Sequence, residues 1–425
     1  MPAPPLHARS AVQLARALAT RELSALALAE ALIERREAID ASLRAWVWFD
    51  ASNARRAARA LDAGALRGPL HGLPLAVKDN IDTAGIPTGY GSAIHAGHVP
   101  GVDAACVALA RAAGAWVLGK TVSTELANMT PGPTRHPLRA AHTPGGSSSG
   151  SAAAVAAGLA PLALGTQTAG SVIRPAAYCG IVGYKPSRGR IPRAGVRLNA
   201  DSLDEVGVLA RDVADAALLA GLLCGREGSL APCASAPRLA LTLTSRADAL
   251  EAGSASLLAD VARRVDAAGA QVGDLAWPAA FDALFDAHFV IQWFETARAL
   301  EPEWLYRRAQ LSPALSRALG RGRRITGAAY AEARACAQAA EAALARVFGE
   351  VDAIVAPAAP GAAPRGLAST GDPLFNRPWQ LLGCPCVALP AGQDAQGLPL
   401  GIQLVGAPGA DEQLLAIAAW IEGVL

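Results

Sequence analysis

Residues 144–190 read PGGSSSGSAAAVAAGLAPLALGTQTAGSVIRPAAYCGIVGYKPSRGR. Two glycines, Gly145 and Gly146, precede three serines. Glycine tolerates positive φ and lets neighbouring backbone come close. Ser151 to Leu159 is packed with alanine and predicts a helix lying tight against its neighbours. Leu162-Ala163-Leu164 predicts a strand, and Ile181 to Tyr184 another. Ser171 follows Ala169-Gly170 just past the first of these strands. Small residues and free backbone N–H groups then stand beside a hydroxyl, as an oxyanion hole stands beside a nucleophile. A glycine run before a helix also suits a phosphate cradle or a flexible loop. Against the cradle, there is no G-x-x-x-x-G-K-[ST] pattern and no lysine follows the loop.

Working outward, short apolar runs alternate with amphipathic stretches. Residues 10–38 predict one or two helices, with Ser10 as an N-cap and Ser24 restarting the pattern. Leu73 to Asn80 (LPLAVKDN) predicts a buried strand with Lys78 at its carboxyl end. Ala104 to Ala113 predicts a helix and Trp116 to Leu118 a strand. Residues 205–223 predict a single Ala/Leu helix, and Pro232 to Pro237 a linker. Strands are expected at Leu239 to Leu243, Gln271 to Leu275, Val351 to Ala356, Cys386 to Leu389 and Gly401 to Val405. Helices are expected at Ala255 to Ala268 and over 411–423. The pattern implies an α/β fold with a mixed, many-stranded central sheet covered by helices on both faces. From 278 to 347 the alternation gives way to helix, which predicts a helical cap or insertion within one domain spanning 1–425.

Composition narrows the function. The chain has 425 residues, 52% hydrophobic and 17% charged, with formal net charge +2. That is a globular chain with no electrostatic case for nucleic acid. Its longest apolar run, Ala152 to Gly165, is too short to span a bilayer. Seven scattered cysteines without a C-x-x-C pair argue against zinc and against a disulfide framework. No apolar leader segment is evident, so a cytoplasmic location is expected. None of the seven histidines has metal-ligand spacing, and neither metal nor cofactor is expected.

Lysine usage is the sharper signal. Of 38 Lys plus Arg residues only Lys78, Lys120 and Lys185 are lysine. Arg stays protonated in proteins, whereas a buried Lys can lose its proton and act as a base. Lys78 ends an apolar strand, where desolvation lowers its pKa toward the range a general base needs.

Together these pieces resemble the amidase signature family. The resemblance runs from about residue 10 to the C-terminus. It is anchored on 144–190 and supported by LPLAVKDNIDTAGIPTGYGS (73–92), VLGKTVSTELA (117–127) and GLPLGIQLVG (397–406). It implies a Ser–Ser–Lys triad in which Lys78 is the base, Ser147 a relay behind a cis peptide bond, and Ser171 the nucleophile. The 24-residue interval between the two serines is the family's. The backbone N–H groups of Thr168, Ala169, Gly170 and Ser171 match its oxyanion hole. Ser148, Gly145, Gly146 and Arg174 match supporting positions, and Arg174 is expected to pair with Asp201 or Asp204. Lys120 and Lys185 match structural lysines. Gln167 stands where many members have Asp, Ala169 where many have Gly, and Ser149 replaces a frequent glycine.

The segment 371–390 resembles the family's stretch near the acyl site, so Asp372, Asn376 and Trp379 are substrate-pocket candidates. Tyr330 and the helix from Ile325 are candidate walls of the cap. The implied activity is hydrolysis of a linear carboxylic amide to acid plus ammonia or amine, with a small-molecule amide as partner and a homodimer as a compatible assembly. The alternative is the A subunit of a glutamyl-/aspartyl-tRNA amidotransferase that releases ammonia from glutamine. A non-catalytic binding protein on the same fold is the third reading, opposed by the presence of Lys78, Ser147 and Ser171.

Overall fold

The computed structural model describes residues 4–425. Its strands are β1 (Trp46–Phe49), β2 (Pro74–Lys78), β3 (Trp116–Thr121), β4 (Leu162–Gln167), β5 (Val182–Lys185), β6 (Glu205–Ala210), β7 (Arg238–Leu241), β8 (Gln271–Asp274), β9 (Ala353–Pro357), β10 (Cys386–Gln393) and β11 (Pro399–Val405). They form one 11-stranded sheet in the order β1-β3-β2-β4-β6-β5-β10-β11-β9-β7-β8. β2 runs parallel to both β3 and β4, and β7 parallel to β8 and β9. The central pairings β4–β6, β6–β5, β5–β10 and β10–β11 are antiparallel. The sheet is therefore mixed, as the sequence predicts.

Every residue of β2, β3, β4, β5, β6 and β9 is buried. Successive strand residues point to opposite faces, so a fully buried strand requires cover on both faces. Helices supply it. Ile173–Cys179 packs on β5, β10 and β11, and Val213–Leu223 on β5 and β6. The alanines of helix Ser149–Ala156 are all but one buried, and they let it lie against β2, β3, β4 and β6.

Local signals set many boundaries. Ser10 accepts from Gln13 N while Gln13 Oε1 accepts from Ser10 N, a complete capping box. Residues 205–223 are not one helix. Glu205–Ala210 is a strand and Val213–Leu223 a helix, divided at Asp212, whose side chain accepts from Asp215 N. Both halves are apolar, and a short apolar run fits either period. β1 and the helix Ala51–Ala63 lie where the sequence pattern predicts no element.

Between 279 and 350 the chain is helical, with Leu284–Ala299, Glu301–Tyr306, Pro313–Gly322 and Gly327–Glu350 as its helices. Leu284–Ala299 packs on Gly327–Glu350, Pro313–Gly322 and the short helix Arg377–Leu381. Trp293, Leu300, Leu315 and Leu319 build a second small core with Tyr90 and Leu126.

Candidate active site

Strand pairing brings the first two site segments together. Leu75 pairs with Leu162 and Val77 with Leu164, so Lys78, at the carboxyl end of β2, reaches the end of β4. Its Nζ lies 2.7 Å from Ser147 Oγ and 2.7 Å from Thr166 Oγ1. Thr166 Oγ1 also accepts from Asn80 Nδ2 at 2.9 Å. Lys78 is wholly buried, and burial lowers its pKa to about 7 against the opposing pull of the Asp204 carboxylate.

Ser147 stands two residues before helix Ser149–Ala156 and is 3% exposed. The Gly146–Ser147 peptide bond is cis. Gly145 has φ 83°, and a Cβ there would sit 2.8 Å from Pro175 Cα. A Cβ on Gly146 would meet Thr370 Cγ2 at 2.7 Å. Both positions need glycine for close approach. Ser148 Oγ accepts from Thr166 N and donates to Thr166 O, each at 3.2 Å. Ser148 N donates to Ser171 O at 3.4 Å, tying the two serine segments together.

Ser171 is the partly exposed member of the three and lines a cavity of about 400 Å3. Between β4 and helix Ile173–Cys179 the chain turns through Thr168 to Ser171. Gln167 Oε1 accepts from Val172 N and Ile173 N, which closes that turn. The N–H groups of all four residues of the turn, Thr168, Ala169, Gly170 and Ser171, have no acceptor among the described residues. Gly170 is fixed as glycine, because a Cβ would stand 2.1 Å from Asn376 Oδ1.

Other expected residues fall in different places. Arg174 pairs with neither Asp201 nor Asp204. Its Nε donates to Thr370 O at 2.9 Å and its Nη2 to Gly146 O at 2.7 Å, and Nη1 has no partner among the described residues. Carbonyl oxygens of two buried loops thus take the role expected of an acid. Asp204 instead accepts from Thr168 Oγ1 at 2.5 Å, and burial raises its pKa to about 6. Asp372 lines the cavity, 3.4 Å from Arg377 Nη2. Asn376 does not line it but backs Gly170, donating to Ala358 O and Gln403 Oε1. Trp379 is wholly buried and packs edge-on to Trp277 and Phe281. Tyr330 stacks on Phe294 and borders a separate cavity.

Lys120 donates to Ile81 O, Thr83 Oγ1 and Thr88 Oγ1, and burial lowers its pKa to about 8. Lys185 donates to Pro186 O at 2.7 Å. Among the described residues no three His, Cys, Asp or Glu side chains converge as a metal site, and no helix is long and apolar enough to cross a membrane.

The remaining cavity wall carries no mark in the sequence. Ala127 to Met129 forms one side, entered through left-handed Leu126 (φ 47°) and Ala127 (φ 55°). Phe289 and Trp293, from helix Leu284–Ala299, form another. No local motif singles them out: Ala127, Met129, Phe289 and Trp293 are ordinary apolar residues, and Asn128 is a lone polar one whose Nδ2 donates to Leu126 O and Asn199 Oδ1.

A family model described as Amidase matches residues 27–415, and the chain belongs to that family of enzymes acting on carbon–nitrogen bonds. The glutamyl-tRNA(Gln) amidotransferase A subunit of Roseiflexus castenholzii is 36% identical over 467 residues, covering 97% of this chain and 95% of that one. A protein solved as an amidase superposes with a TM-score of 0.91 at 32% identity, over 98% of this chain and 100% of that one. The peptide amidase of Stenotrophomonas maltophilia gives a TM-score of 0.83 at 30% identity, over 99% and 97%.

Proposed function

We propose that this chain hydrolyses a carboxylic amide through an acyl-enzyme on Ser171. The observation that carries the reading is the 2.7 Å contact between Lys78 Nζ and Ser147 Oγ, in a buried spot that brings the amine near neutrality. A neutral amine has two protons and one lone pair. Thr166 Oγ1 can accept a hydrogen bond from one N–H, and the lone pair is left for the Ser147 hydroxyl. Ser147 passes its proton to Lys78 as it receives that of Ser171. Ser171 Oγ then attacks the amide carbonyl. The unpaired N–H groups of the turn Thr168, Ala169, Gly170 and Ser171 are the donors for the developing oxyanion, each one engaged contributing roughly 3–4 kcal/mol. The proton returns through Ser147 to the leaving nitrogen, and water cleaves the ester by the same relay in reverse. The small-molecule amide is the partner this site needs.

A second reading concerns where the ammonia goes. Relatives at 34–36% identity are named as the A subunit of a glutamyl-tRNA(Gln) amidotransferase. The cavity also sets a guanidinium, Arg377, beside a carboxylate, Asp372. That pair suits the α-carboxylate and α-ammonium of an amino acid such as glutamine. In this reading the chain is a glutaminase component whose ammonia serves a partner-bound substrate.

Ammonia release by the purified chain separates the two. The panel holds acetamide, benzamide, indoleacetamide, malonamate, glutamine, allophanate and a fatty amide. Turnover of a simple amide by the chain alone supports the stand-alone reading. Turnover of glutamine dependent on added partner subunits supports the second. Ser171→Ala should abolish both, and full activity in that variant would overturn the acyl-enzyme assignment.

A further inference from the structure

Thr168 opens the proposed oxyanion turn and is gripped from two directions. Its hydroxyl donates to Asp204 Oδ1 at 2.5 Å. Its carbonyl oxygen lies 2.9 Å from His288 Nε2, a contact spanning 120 residues. A carbonyl can only accept, so Nε2 carries the proton. Nδ1 then holds the lone pair, and it has no partner among the described residues. The ring is wholly buried, and burial drives its pKa down to about 3. One neutral tautomer is thereby fixed.

We infer that His288 is a positioning residue that presets the oxyanion turn, an inference that rests on the acyl-enzyme reading above. The Thr168 carbonyl and the Ala169 N–H belong to one planar trans peptide unit and point in opposite directions. Holding the oxygen therefore aims the N–H. Ala169 N–H is one of the turn's groups without an acceptor among the described residues. Without the imidazole donor, the Thr168 oxygen would be a buried acceptor in need of a partner, and rotating the peptide plane would be its relief. Donors aimed in advance are what make an oxyanion site effective. His288 lies on helix Leu284–Ala299, the same helix that places Phe289 and Trp293 on the cavity wall. One helix thus shapes the substrate space and sets the catalytic backbone.

The test is the rate at which a fluorophosphonate labels Ser171, because its P=O must enter the oxyanion site. His288→Gln and His288→Met are unbranched and similar in length, but only Gln can donate to the Thr168 carbonyl. His288→Met should label about 10–100-fold more slowly than wild type, and His288→Gln within about threefold of it. Equal rates in the two variants, whether fast or slow, overturn the inference, since packing alone would not tell them apart. Failure of the wild type to label at Ser171 would instead remove the reading beneath it. Should the Met variant not fold, 15N-histidine NMR of the wild type decides. A proton on Nε2 alone between pH 5 and 8 is the expected signature, and an Nδ1-protonated or charged ring overturns the proposal.

Discussion

Lys78→Met should abolish turnover and at the same time make the protein more stable. The wild-type amine is wholly buried, and its pKa falls from 10.5 to about 7. A gap of that size corresponds to about 5 kcal/mol of folding free energy lost at neutral pH. In the unfolded chain the amine is protonated up to about pH 10, whereas in the folded chain it must give up the proton or keep its charge in the core. Met fills a similar volume without that penalty. The substitution also removes the Lys78 contact to Ser147 Oγ, a loss of ~1–3 kcal/mol. Thr166 Oγ1 keeps Asn80 as a partner. The net gain at pH 7 is roughly 2–4 kcal/mol.

The gain depends on pH in a definite direction. Between pH 7 and 10.5 the unfolded wild type binds more protons than the folded one, so wild-type stability rises with pH through that window. The advantage of the variant is full below the folded pKa of about 7 and shrinks toward pH 10.5. Chemical denaturation of both proteins at pH 7 and pH 10 measures it. A Lys78→Met variant less stable than wild type at pH 7, or a difference that ignores pH, would refute the reasoning.

Three further outcomes follow from the same geometry. Because the base must be unprotonated, kcat/KM should rise tenfold per pH unit below an inflection at about 7 and level off above it, in a pH–rate profile on any accepted amide. Gly170→Ala drives a methyl into Asn376 Oδ1, on a side chain anchored through Nδ2 to Ala358 O and Gln403 Oε1; fluorophosphonate labelling should slow by about 10²–10³ and stability fall by ~1–3 kcal/mol. Glu303 is buried and accepts from both His95 Nε2 and Arg197 Nη2. Glu303→Ala should therefore cost ~1–3 kcal/mol in denaturation experiments, loosening the helical segment without touching Ser171.

How much of this is readable in the residues differs from element to element. The strand ending at Lys78 is legible because an apolar run meets a polar exit there, and Ser10 and Ser24 announce their helices as caps. The strand Glu205–Ala210 is not, because EVGVLA continues into an equally apolar helix and the divider is one capping residue, Asp212. Lys78 stands out because lysine is scarce and it ends an apolar strand, whereas Ser147 and Ser171 are candidates through the resemblance of 144–190 to the amidase signature. Arg174 suggests a carboxylate partner because opposite charges are the default expectation. Its acceptors are carbonyl oxygens instead, and sequence carries no mark of where a carbonyl will point. His288 gives no signal either. A lone histidine on a helix gains its meaning only from a loop 120 residues away.

The burial of the three lysines has a consequence outside catalysis. Each is 0% exposed, so the folded surface carries its positive charge on guanidinium alone. To succinimidyl esters, cyanate, acetylating agents or a lysine-specific protease, the native protein is an inert object, the α-amino group aside. Conversely, the first appearance of amine reactivity on heating would report the opening of the sheet itself.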